Sequence, residues 1–102
     1  NSGKAAAKAH AKADIEAGTL KVNLEAAREA ARQIRLRNLS GIILVDFINL
    51  SEETSTTKLL SEFRHYLARD PIQTTLVDMT ALGLVEVTRK KVRKPLYEEE
   101  KN

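Results

Sequence analysis

At 102 residues, with 42% hydrophobic and 30% charged residues, the chain has the size of one domain with a modest core and is too short for two. Cysteine is absent, which excludes disulfides and thiolate metal sites within the chain and fits a reducing, cytoplasmic setting. No apolar run is long enough for a bilayer and the Ala/Lys-rich start has no signal-peptide core, so no membrane partner is expected. The net charge of +3 is uneven: residues 1–40 carry eight Lys/Arg against four Asp/Glu, 41–88 three against seven, 89–94 five against none and 95–102 one against three. Two basic blocks around an acidic middle suit a polyanion held by cations and a cation held by acids. Ordinary solvated surface charge is the plainer account.

In chain order, KAAAKAHAKA at residues 4–13 is helix-prone but has no apolar stripe, so residues 1–21 are expected to be a mobile basic loop or a partly helical one, with Gly18 as a break. His10 stands without a second ligand and is expected to be exposed. From Asn23, read as a cap, a helix runs to near Asn38 on a stripe of Leu24, Ala27, Ala31 and Ile34. Its Arg28 and Arg32 follow Glu25 and Glu29 by three residues, which accounts for them as intrahelical pairs. Arg35 and Arg37 have no such partner; a phosphate contact and a favourable place at the helix C-terminus both explain them.

IILVDFI, residues 42–48, is apolar on both faces of a strand, as for a central strand covered by helices. A second helix starts at a Ser51 cap, buries Leu59, Leu60, Phe63 and Leu67, and stops at Asp70-Pro71. Residues 72–78 are expected to pair parallel to the first strand through a right-handed crossover, which puts Asp78 beside it. After a turn at Thr80–Gly83, LVEVTRKK alternates as a third strand, Val85 and Val87 facing one way. The expected fold is α/β, with α+β as the alternative: a small mixed sheet of about three strands and two packed helices. Residues 1–96 are expected to form one domain with its core at 22–96, and 97–102 a disordered tail.

Asp46 is the candidate that raises a chemical question, because an acid buried in an apolar run needs a partner or a proton. Strand carboxyl ends collect ligands in open α/β sheets, and Mg²⁺ needs only one or two carboxylates beside water and phosphate. A structural role, with Asp46 accepting loop N–H groups or pairing with a helix arginine, stands equally beside that metal role. His65, next to Tyr66, reads as a surface residue.

TLKVNLEAAREAARQIRLRNLSGIILVDFINL, residues 19–50, resembles a long stretch of the ribonuclease E/G family, and LGLVEVTRKKVRKPL, residues 82–96, resembles a second. The opening NSGK is similar to the end of a further family motif. The resemblance implies an endoribonuclease that cuts single-stranded RNA with Mg²⁺ in a subdomain likened to the DNase I fold. It carries a metal-binding catalytic aspartate onto Asp46 and a catalytic asparagine onto Asn1; a first aspartate would fall two positions before Asn1. The chain is thus expected to be a fragment, inactive or nearly so alone, with the rest of its parent chain as partner. Arg35, Arg37, Arg89, Lys90 and Lys91 are the expected RNA-backbone contacts. Departures from the family pattern fall at Asn49, where an aspartate is common, and Gln73, where a basic residue is frequent. Two other readings are a non-catalytic RNA-binding module and a homo-oligomer formed through an open strand edge.

Overall fold

The computed structural model describes residues 2–92; the expectations for Asn1 and for residues 97–102 lie outside the described residues. Two helices, α1 (Ser2–Leu36) and α2 (Glu53–Leu67), accompany three strands, β1 (Gly41–Asp46), β2 (Thr74–Met79) and β3 (Leu84–Arg89). This is the α/β composition expected from the periodicities.

Residues 2–21 are not a loop but the first half of α1, and Gly18 does not interrupt it. The physical reason is propagation: once residues 20–36 are anchored, extending the helix costs no new nucleus, and Ala and Lys are good helix formers. His10 is exposed there, 3.6 Å from Asp14. Asn23 is consequently in mid-helix instead of at a cap. It shares the buried face with Ala27, Ala31 and Ile34, while Leu24 packs at the core margin. The helix closes with Asn38 at φ 49°, the Asn38 N–H donating to Arg35 O and the Leu39 N–H to Ile34 O, a Schellman arrangement in which asparagine takes the left-handed position.

The sheet order is β1-β3-β2, and both pairings are antiparallel. The expected parallel β1–β2 pair is therefore corrected. Both strands run antiparallel to β3, so they share a direction, but β3 is inserted between them as in a split β-α-β unit. The turn Thr80–Gly83 makes the tight β2–β3 hairpin, with the Gly83 N–H on Thr80 O at 3.0 Å and Gly83 at φ 84°. β1, expected to be central, is an edge strand. Its Ile43 and Val45 face the helices, whereas Ile42 and Leu44 are 72% and 55% exposed.

The core joins Ala27, Ala31 and Ile34 of α1, Leu59, Phe63 and Leu67 of α2, and Val85 and Val87 of β3, with Phe47 set edge-on to Phe63 at 5.5 Å. Ser51 does not cap α2. Its N–H and hydroxyl and the N–H of Glu52 all donate to the Glu16 carboxylate, at 3.1, 3.0 and 2.9 Å, so α1 itself supplies the anion at the α2 N-terminus. Those backbone donors hold the Glu16 carboxyl below its ordinary range.

Candidate functional site

Asp46 is the last residue of β1, paired across the ladder with Leu84, and it is exposed. It needs no buried partner. Among the described residues no cation lies within 4 Å of its carboxylate. Its side chain alternates with Ile43 and Val45, so it stands on the sheet face away from the helices, where Glu86, opposite Leu44, shares that face one step along. Asp78 does not join it. That acid lies on β2, beyond β3, and accepts the Met79 N–H at 2.7 Å. No group of three or more His, Cys, Asp or Glu side chains converges on a metal position among the described residues.

The chain leaving Asp46 is held by a residue whose role local pattern did not disclose. Asn23 is 1% exposed; its amide donates to Ile48 O at 2.8 Å and accepts the Ile48 N–H at 2.9 Å. A mid-helix side chain thus reads the backbone two residues past Asp46 as a strand partner would. The available signal was helical phase, since Asn23 falls on the same stripe as Ala27 and Ala31. Asn23→Ala is expected to lower stability by about 1–3 kcal/mol in urea unfolding, because both Ile48 groups lose their partner. Next to this clamp, a cleft of about 450 Å³ is lined by Phe47, Asn49, Leu50, Met79, Leu82 and Gly83. Asn49, where the family commonly has an aspartate, lines it near Gly83, whose φ of 84° disfavours any L side chain, although a Cβ there would meet Asn49 Oδ1 at an ordinary 3.4 Å.

The expected RNA contacts lie toward one end of the sheet, away from Asp46, where Arg89 joins the end of β3 to Asn38 and Leu39 just past Arg37. Arg89 is removed from the set: its side chain is 3% exposed and its guanidinium is committed to Asp70 at 2.8 Å, Asn38 Oδ1 at 2.8 Å and Leu39 O at 3.0 Å. Period-2 alternation puts Arg89 in phase with buried Val85 and Val87, which explains its inward direction. Burial pushes the Asp70 carboxyl up, but hydrogen bonds from Arg89, the Ile72 N–H and Thr74 outweigh it and hold it below its usual value. Lys90 and Lys91 are exposed, and the Lys90 N–H donates to Gln73 O. Arg37 is exposed with its Nε on Gln33 Oε1 at 3.0 Å, and Arg35 is half-buried in the last turn of α1. Lys90 and Lys91 follow the end of the ladder opposite Asp46, five steps or about 17 Å away. Asn1 lies outside the described residues.

A small antiparallel sheet, two helices on one face and an open carboxylate at a strand end define an α/β chain that presents an acid on the uncovered face of its sheet. The chain belongs to the ribonuclease E/G family, whose description matches residues 1–92. It is 43% identical over 74 residues to ribonuclease G of Escherichia coli strain K12, covering 72% of this chain and 15% of that protein. Ribonuclease E of Synechocystis sp. is 43% identical over 76 residues, covering 74% of this chain and 11% of its own length. A ribonuclease E/G-like protein of Pyropia yezoensis is 40% identical over 79 residues, 78% of this chain and 16% of the relative. The chain therefore spans about one sixth or less of the length of these relatives.

Proposed function

We propose that this chain is part of the catalytic core of a Mg²⁺-dependent endoribonuclease acting on single-stranded RNA in the cytoplasm, and that it is inactive by itself. The observation that carries the reading is Asp46: an exposed acid at a strand end with no cation within 4 Å among the described residues, in a chain of the ribonuclease E/G family. A Mg²⁺ ion accepts one or two carboxylates and takes its remaining ligands from water and phosphate, so an open carboxylate free of nearby cations fits it. When bound, the ion supplies Lewis-acid chemistry, offsetting charge on the phosphate and making a bound water more acidic.

The remaining work falls to the chain itself. Asp46 orients from a hydrogen-bonded ladder, and Asn23 keeps the following backbone from swinging away. Asn49 offers an amide to the cleft. Arg37, Lys90 and Lys91 attract the RNA backbone without reading its sequence. Asn1 and the rest of the parent chain complete the constellation, on the strength of the family resemblance. No helix of the described residues is long and apolar enough to cross a membrane.

The test is cleavage of a labelled single-stranded oligoribonucleotide by the full-length protein. Cutting is expected with Mg²⁺, lost on adding EDTA and restored by excess Mg²⁺. Undiminished cutting in EDTA would overturn the metal role.

A further inference from the structure

Three arginines of α1, Arg28, Arg32 and Arg35, line a small cleft of about 150 Å³ together with Tyr66 and Arg69 from the α2 end of the chain. The spacing i, i+4, i+7 stacks the α1 arginines on one face next to the buried Ala27, Ala31 and Ile34 stripe. Simple intrahelical pairing does not account for them. Among the described residues only Arg32 is paired, at 3.0 Å to Glu29, and that carboxylate is shared with the Gln33 amide at 2.9 Å. Among the described residues, Arg28, Arg35 and Arg69 have no carboxylate within 4 Å. Arg69 lies over the Tyr66 ring, 5.4 Å from its centroid, which orients its guanidinium beside the phenol.

Like charges gathered on neighbouring helix turns repel, so this arrangement costs stability in the free chain. Planar guanidinium forks are also the groups that take phosphate oxygens two at a time, and a tyrosine hydroxyl is a further phosphate donor. We propose that this cleft is a second RNA-backbone site, binding a phosphate at a distance from Asp46; the assignment to RNA rests on the reading above. The cleft belongs to the helical layer, whereas Asp46 stands on the opposite face of the sheet. The three arginines also lie between about 8 and 18 Å along α1 from Asn23, which marks the Asp46 end. An RNA must therefore extend around the edge of the molecule to engage both. The site adds affinity for longer strands and no base preference.

Arg28 and Arg35 are the residues to test, since neither holds a structural ion pair. Binding of the full-length protein to a fluorescein-labelled single-stranded RNA is measured in EDTA across a salt series, wild type beside Arg28→Gln/Arg35→Gln, with circular dichroism on both. The double variant is expected to keep its fold, bind about tenfold more weakly and lose about 0.7 from the slope of log affinity against log salt, the share of the one phosphate the cleft holds. Arg28→Lys/Arg35→Lys should recover the slope but not the full affinity, because ammonium lacks the fork. Unchanged affinity and slope in the glutamine variant, with the wild type binding RNA normally, would overturn the site alone. Failure of the wild type to bind RNA would overturn the RNA reading and this assignment together. Competition by polyglutamate as effective as RNA of equal charge would show an acidic-peptide site and reject the phosphate assignment.

Discussion

Asp46→Asn in the full-length protein is expected to lower RNA cleavage about 10³-fold while leaving the fold intact. Asparagine keeps the shape of aspartate and one of its oxygens but removes the negative charge that would hold a divalent cation. Losing several kcal/mol of charge stabilisation at the phosphate corresponds to about three powers of ten in rate. Stability should move by no more than about 0.5 kcal/mol, because Asp46 is exposed and makes no ion pair among the described residues. The decisive comparison is single-turnover cleavage against Mg²⁺ concentration, with circular dichroism on both proteins. A variant that cuts within threefold of wild type would make Asp46 a surface residue and remove the metal role.

Arg89→Met is expected to destabilise the chain by about 3–5 kcal/mol, the usual cost of orphaning one member of a buried ion pair. Against a total stability of about 5–15 kcal/mol this is enough to unfold a marginal domain. The Asp70 side chain is 2% exposed, so the carboxylate left behind has no solvent to replace the guanidinium. Asn38 and the Leu39 carbonyl lose their donor as well. A double variant, Asp70→Leu/Arg89→Met, should be destabilised by less than the sum of the two single changes, since each single change strands a group the other removes. Urea unfolding of the four proteins closes the cycle.

The same pair sets the acid limb of stability. The folded Asp70 carboxyl lies below its ordinary value, so its contribution is fully present above the unfolded pKa of about 3.9 and is lost as pH falls through the folded value. Glu16, also lowered, acts in the same direction in the same range. Melting temperature should therefore fall steeply below about pH 4 in the wild type and less steeply in Asp70→Asn, with Glu16 accounting for part of what remains.

Much of the fold was legible where one local period decides it. The α2 stripe of Leu59, Phe63 and Leu67 and the Val85/Val87 alternation appear in the structure as read, and so does the Thr80–Gly83 turn. What local pattern does not encode is which strand pairs with which. IILVDFI looks the same on an edge as in the middle, and its partner β3 begins 43 positions after the start of β1. Charge misled at Arg89, where a basic run drew attention to solvent although the strand phase pointed inward. Asp46 was found as a candidate, but its exposure follows from the sheet order and could not be read from its apolar neighbours. Asn23 was hidden for a related reason: its partner is the backbone of Ile48, 25 residues away.

The inserted position of β3 also has a consequence for synthesis. As the chain leaves a ribosome, β1 and β2 both emerge before β3, the strand that bonds to each of them among the described residues. At about 5–20 residues per second, the apolar segment ending at Asp46 waits roughly 2–9 s for Arg89 to appear. During that interval the order of translation, and not the strength of any finished contact, leaves it open to capture by a chaperone or by another nascent chain.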